Sequence, residues 1–415
     1  MNITSIHARE ILDSRGNPTV EATVKLANGL EGTASVPSGA STGTYEALEL
    51  RDTRSDRYDG RGVLHAVKNI EETISSALAG KDIFDQAAID ETMLLLDGTP
   101  NKAKLGANAI LAVSLAAARV GAAAAKEPLY VYLRRLFPTL GPIFNLPTPL
   151  MNVLNGGAHA NWVTDIQEYM IIPQAETMSE RIRYGEEVYQ ALKEVIKEAS
   201  YDISIGDEGG FAPTVTDNEE PFRLILMAIE KAGYKAGTDI KLGIDAAASE
   251  WHKNGQYHLK KGGNLDALKL SDWYRELVKK YPLVSIEDPF GEDDWATWTK
   301  FAATVDKDLQ IVGDDLYVTN VKRIERGIQE KATTAVLIKP NQIGSLSETI
   351  AAITLAKEAG QKVIISHRSG ETMDDFIADL AVASGADQIK AGAPARGERV
   401  AKYNRLLAIE EELSA

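Results

Sequence analysis

Positions 19 to 26 alternate strictly. Val20, Ala22, Val24 and Leu26 fall on one face, and Thr19, Glu21, Thr23 and Lys25 on the other. A period of two predicts a half-buried antiparallel strand. Asn28-Gly29 has the composition of a two-residue hairpin turn, and Leu30, Gly32, Ala34 and Val36 continue the alternation on a return strand. Beyond residue 60 the period changes. Val63, Val67, Ile70, Ile74 and Leu78 share one helical stripe, a second helix is expected over Asp85 to Leu96, and an alanine-rich one over Leu105 to Ala125. The last is the longest apolar stretch, but Asn108, Ser114 and Arg119 interrupt it, so a buried helix is expected rather than a membrane span. Pro138, Pro142, Pro147 and Pro149 then break regular structure. They mark an expected boundary between an N-terminal α+β domain, 1–138, and a C-terminal domain, 139–415.

The C-terminal part has the size of a β/α barrel, roughly 250 residues. Short apolar runs recur at Lys241 to Ile244, Leu283 to Ile286, Leu309 to Val312, Ala335 to Ile338 and Lys362 to Ile365, with amphipathic stretches such as Thr349 to Ala359 between them. That alternation predicts a parallel sheet. The runs finish at Asp245, Glu287-Asp288, Asp314-Asp315, Lys339 and His367-Arg368, and a further short strand ends at Lys390. In such barrels active sites lie at the carboxyl ends of the strands. Contact with water explains one charged strand end. Six in succession, acids first and bases last, point to a site.

Composition narrows the chemistry. The chain has 45 basic and 60 acidic residues, a net charge of −15, and no basic run, which argues against nucleic acid as a partner. Cysteine is absent, which excludes disulfides, thiol nucleophiles and thiolate metal sites. The first ten residues carry His7, Arg9 and Glu10 where an apolar signal core would sit, and a cytoplasmic location is the expectation. Asp245, Glu287 and Asp314 at one mouth repel one another unless a cation joins them, and an all-oxygen donor set suits Mg²⁺. Lys339 and Lys390 face the same mouth, where neighbouring cations disfavour the ammonium and would make a lysine a base near neutral pH. Glu208, in the turn Gly206-Asp207-Glu208-Gly209-Gly210, is a candidate general acid. His159 follows the turn Asn155-Gly156-Gly157-Ala158, and the small residues Ser38 to Gly43 suit a closing lid.

Sequence blocks extend these candidates. They include Asp13-Ser14-Arg15-Gly16-Asn17-Pro18, Ser38 to Gly43, Lys104-Leu105-Gly106-Ala107-Asn108, Asn155-Gly156-Gly157, Gln167-Glu168 and Gly206 to Gly210. Further along come Ser285-Ile286-Glu287-Asp288, Gly313-Asp314-Asp315-Leu316, Lys339-Pro340-Asn341-Gln342, Ser366-His367-Arg368-Ser369-Gly370-Glu371-Thr372 and Gln388-Ile389-Lys390. In this order, over essentially the whole chain, they resemble the enolase family. The resemblance implies an N-terminal α+β domain capping a barrel of the TIM type whose first units are atypical. It implies reversible dehydration of 2-phospho-D-glycerate to phosphoenolpyruvate, in glycolysis and gluconeogenesis, with two Mg²⁺ per site. By that resemblance Asp245, Glu287 and Asp314 would hold one Mg²⁺ and Ser41 would join the second. Lys339 would remove the C2 proton, as superfamily members with a lysine base do. Glu208 with Glu168 would assist departure of the C3 hydroxyl, and Lys390 would pair with the substrate carboxylate. Arg368 and Ser369 would hold phosphate, with His159, Gln167 and His367 lining the pocket. A homodimer or homo-octamer is implied as well.

The chain departs from the family pattern at Asn161-Trp162-Val163, at Met373, at Ala391, and in a short stretch from Lys253 to Leu270. Trp162 keeps open a paralogue acting on a related phospho- or phosphonate acid. A non-catalytic binding protein on the same scaffold is the remaining alternative.

Overall fold

In the computed structural model, which describes residues 1–39 and 43–415, the N-terminal sheet is a meander of β1 (Ile3–Leu12), β2 (Pro18–Leu26) and β3 (Glu31–Ser35). Both ladders are antiparallel, and the apolar face of β2 is buried as its alternation predicts. The helix Ala107–Ala125 lies across that face and is buried almost throughout its first four turns. Its length and apolar character would suffice to cross a membrane, yet it is a core element here. Gly32 explains the close approach: a Cβ there would collide with the backbone of Val120 and Ala116. The stripe from Val63 to Leu78 is helical over Leu64–Leu78, with a π-helical stretch at Asn69–Ile74. The second predicted helix spans Gln86–Asp97, and the Asp85 carboxylate caps it by accepting from the Ala88 N–H.

The C-terminal part closes into an eight-stranded barrel. Its strands are β4 (Thr148–Asn155), β5 (Glu168–Pro173) and β6 (Ile240–Asp245), then β10 (Leu283–Glu287), β11 (Gln310–Gly313), β12 (Ala335–Ile338), β13 (Lys362–Ser366) and β14 (Gln388–Lys390). A small separate sheet, β7 (His252–Lys253), β8 (Gln256–Leu259) and β9 (Gly263–Leu265), follows β6. The fold is therefore a β/α barrel with an N-terminal α+β domain, as expected. It corrects the expected parallel sheet in one respect: β5 runs antiparallel to both β4 and β6. Hydrogen bonding permits this because a ladder can close in either sense, provided the strand is covered on both faces.

Side-chain parity connects the barrel to its mouth. Leu150, Met170, Ile172, Val312, Ala335, Leu337 and Ile364 form a separate apolar cluster filling the barrel interior, while their sequence neighbours pack outward against the helices. A step of two residues along a strand keeps the same face. From these positions it leads to Asn152, Glu168, Asp314, Lys339 and Ser366. The chemistry at the mouth is thus the next inward layer above an apolar plug.

Candidate active site

Three carboxylates sit side by side in the ladder. Glu168 is registered with Asp245, and Asp245 with Glu287, on three adjacent strands. All three are buried, and the Lys390 ammonium reaches each of them: 3.1 Å to Glu168, 3.3 Å to Asp245 and 2.9 Å to Glu287. Burial pushes the Glu168 and Glu287 carboxyls well above the usual carboxylate range; like charges add to this, and Lys390 only partly offsets it. Lys390 itself stays charged: burial disfavours the ammonium, but Glu168, Glu287 and Asp245 together outweigh it. Asp314 stands one strand further on. It pairs with the Lys339 ammonium and accepts a 2.8 Å hydrogen bond from Gln342 Nε2.

The pairing of Lys339 with Asp314 works against the neutral amine expected of a lysine beside Mg²⁺ and a second lysine. Neighbouring cations were expected to lower its pKa. Burial and Arg368 do act that way, but the contact with Asp314 prevails and holds the amine above its ordinary value. In the resting protein Lys339 is an ammonium.

On the other side of the mouth lies a second group. His159 Nδ1 is 3.8 Å from Glu168 and 3.7 Å from Glu208, and His159 Nε2 is 3.0 Å from the Ser369 hydroxyl. His367 Nε2 lies 3.4 Å from Glu208, which also accepts from Asn152 Nδ2 at 3.0 Å. Burial works against the Glu208 carboxylate, but the two imidazoles and Arg399 hold its pKa well below the usual range. His367 is neutral: burial pushes its pKa down to about 3. Two glutamates thus share one buried polar recess, the Glu168 pKa raised above the usual carboxylate range and that of Glu208 held below it. The turn that carries His159 has no room for a larger residue at Gly156, where a Cβ would overlap the Thr164 hydroxyl and the Ile166 carbonyl.

One cleft unites these groups. His159, Gln167, Glu168, Glu208, Asp245 and Asp314 line it, as do Lys339, His367, Arg368, Ser369 and Lys390. Glu287 joins through Lys390. Ser41 lies outside the described residues. Asp288, Asp315 and Glu46 also line the cleft, and the sequence reading assigned them no role. Asp288 accepts the backbone N–H groups of Asp314 (3.0 Å) and Asp315 (2.7 Å), which fixes the bend that follows β11. Glu46 forms a two-pronged pair with the Arg368 guanidinium, at 2.8 and 3.1 Å, and accepts the Gly43 N–H at 3.0 Å. Its only sequence signal was proximity to the Ser38 to Gly43 loop.

That loop is anchored at both ends. Ser38 and Gly370 exchange backbone hydrogen bonds, and Thr44 and Tyr45 bond to Glu292 and Asp293. Trp162 does not line the cleft. It lies in an adjoining opening, in left-handed backbone (φ 62°), with the Lys260 ammonium 4.2 Å from its ring centroid. Met373 is 65% exposed and does not line the cleft.

The donor set fits a hard divalent ion. Carboxylates in the cleft outnumber the cations facing them. Two trios, Asp288–Asp314–Asp315 and His159–Glu168–Glu208, neither of them the expected Asp245–Glu287–Asp314 set, each bring ligand atoms within 4.8 Å of one another, compatible with divalent metal binding. Gln167 Oε1 is buried there without a hydrogen-bond partner among the described residues.

The architecture is thus a capped barrel with a mouth of inward-facing carboxylates and lysines. Residues 143–415 match the family model described as enolase, C-terminal TIM barrel domain, and residues 3–133 match that described as enolase, N-terminal domain. The chain belongs to the enolase family.

Proposed function

We propose that the chain catalyses the Mg²⁺-dependent, reversible dehydration of 2-phospho-D-glycerate to phosphoenolpyruvate. The observation that carries the proposal is the division of one buried cleft into a lysine side, Lys339 with Asp314, and a glutamate side, Glu168 with Glu208. Removing a proton beside a carboxylate and expelling a hydroxyl need a base and an acid that are different groups.

In this reading Arg368 and Ser369 hold the phosphate, and Lys390 pairs with the substrate carboxylate. Asp245, Glu287 and Asp314 would hold one Mg²⁺ and Ser41 a second, which would supply positive charge beside the substrate carboxylate. Lys339 faces Arg368 and Lys390, whose charges favour its free amine, against Asp314, which favours the ammonium. The amine takes the C2 proton, and the C2 electron pair moves into the carboxylate to give an ene-diolate. That pair then forms the C2–C3 double bond as the C3 hydroxyl leaves. The Glu168–Glu208 pair gives the departing hydroxyl a proton, so it leaves as water. Glu168 is the member whose surroundings favour the proton. Charge that develops only in the transition state is where binding lowers a barrier.

A spectrophotometric assay for phosphoenolpyruvate tests the proposal. Turnover of 2-phosphoglycerate that EDTA abolishes and Mg²⁺ restores is expected. Negligible turnover with Mg²⁺ in excess would overturn it and favour the paralogue acting on a related phospho- or phosphonate acid, to which Trp162 beside the cleft points.

A further inference from the structure

Arg399, on the C-terminal helix Gly397–Ser414, has no exposed surface. Its nitrogens are directed into the two loops that carry the glutamate side of the cleft. Nη1 lies 2.7 Å from His367 Nδ1 and 2.6 Å from the Arg368 carbonyl. Nη2 donates to the Asp207 carbonyl at 3.0 Å and to the Ser369 carbonyl. The stem passes Gly392, where a Cβ would stand 2.8 Å from Arg399 Cδ.

The chemistry of that set is restrictive. A guanidinium has donors only and keeps its charge at any ordinary pH. A ring nitrogen 2.7 Å from such a donor must present its lone pair. His367 Nδ1 therefore carries no proton, which excludes both the imidazolium and the Nδ1–H tautomer. The single ring proton is on Nε2, and Nε2 is the atom 3.4 Å from Glu208. His367 thus turns its N–H toward Glu208, 3.4 Å away, and presents no lone pair to it.

We propose that Arg399 is a positioning residue that locks His367 in the neutral Nε2–H tautomer and so keeps a ring N–H turned toward Glu208. The link to catalysis rests on the reaction proposed above. The tautomer does not, so the two can fail separately.

The test uses the full-length protein labelled with ¹⁵N-histidine, whose six histidines give a small set of ring signals. Long-range ¹⁵N–¹H correlation reports the tautomer of each, and His367→Gln assigns the resonance. At neutral pH the wild type is expected to show His367 as Nε2–H. Arg399→Met is expected to move it to a mixture of forms and to lower kcat at least tenfold, with KM changed less than threefold. Arg399→Lys, which keeps a cationic donor, is expected to restore the tautomer and most of kcat. A wild-type His367 that is imidazolium or Nδ1–H overturns the proposal, even if Arg399→Met fails to fold. So does an Arg399→Met protein whose His367 stays fully Nε2–H. A wild type that shows the tautomer but does not turn over 2-phosphoglycerate leaves the lock standing and removes the reaction.

Discussion

Replacing Lys390 by methionine removes one ammonium from the midst of Glu168, Asp245 and Glu287, at 2.9 to 3.3 Å, while keeping side-chain volume. The loss has a ceiling. A carboxylate stranded by the change can take up a proton, and at pH 7 that costs about 1.36 kcal/mol per unit of distance from an ordinary pKa of 4.5. The ceiling is therefore about 3.5 kcal/mol for one carboxyl, in the range of a broken buried ion pair. At a typical unfolding entropy of roughly 2 cal/mol/K per residue, the thermal midpoint should fall by about 4 °C. The sign of the pH dependence follows from the raised carboxyl pKa. The folded variant binds a proton that the unfolded chain releases above pH 4.5, so its stability is fully present below that value and is lost as pH rises. At pH 5.5 the deficit against wild type should shrink to about 1.4 kcal/mol by the same arithmetic. Lys390 stays charged over this whole range and adds no titration of its own. Calorimetry of both proteins in EDTA at pH 5.5 and 7 measures the difference directly. A midpoint lowered by less than 1 °C at pH 7, or by the same amount at both pH values, would refute the claim that Lys390 neutralises this cluster.

Lys339→Ala should abolish exchange of the C2 proton of 2-phosphoglycerate with solvent, while circular dichroism and calorimetric Mg²⁺ binding stay near wild type; full exchange would show the base to be another group. Glu208→Gln should slow elimination more than exchange, because it takes the anion away from His159 and His367; equal loss of both steps would remove it from the hydroxyl side. Glu168→Gln imitates the protonated acid, so it should cost less than 1 kcal/mol in stability and yet slow elimination; a larger cost, measured by thermal unfolding in EDTA, would mean that Glu168 is ionised at rest. Glu46→Gln should lower KM for 2-phosphoglycerate severalfold, since an incoming phosphate no longer competes with a carboxylate for Arg368; a raised KM would make Glu46 a support for the arginine instead. Gly32→Ala forces the sheet off Val120 and should destabilise by about 1 to 3 kcal/mol in thermal unfolding, with little change in kcat.

Much of the cleft was legible because barrel strands obey two simple rules. Asp245, Glu287, Asp314, Lys339 and Lys390 each end an apolar run, and each shares the inward parity of the barrel interior. Glu168 escaped the rule of carboxyl strand ends for a definite reason. It begins β5, and β5 runs in the opposite sense, so its amino end reaches the mouth. The strand β4 was hidden by Pro149, which pairs with Ile389 inside the barrel although proline ordinarily argues against a central strand. Charge states were less legible than positions. The sequence puts Lys339 near other cations, but only coordinates reveal that Asp314 touches it. Arg399 had no signal at all: an arginine on a terminal helix reads as a solvated side chain, and its burial follows from how that helix packs against the loops after β13 and β14.

The same electrostatics bear on why the fold tolerates so many buried acids. An apolar plug of Leu150, Met170, Val312 and Leu337 excludes water from below, so charges at the mouth interact strongly. In that setting unpaired carboxylates would take up protons, and protonated carboxyls bind cations poorly. Lys390 offsets part of that tendency at Glu168 and Glu287, and Lys339 acts against burial to hold Asp314 below the usual range. A smaller acid cluster would be more stable and would need neither lysine. In the proposed reaction Lys339 must leave its pair with Asp314 before its amine can take a proton.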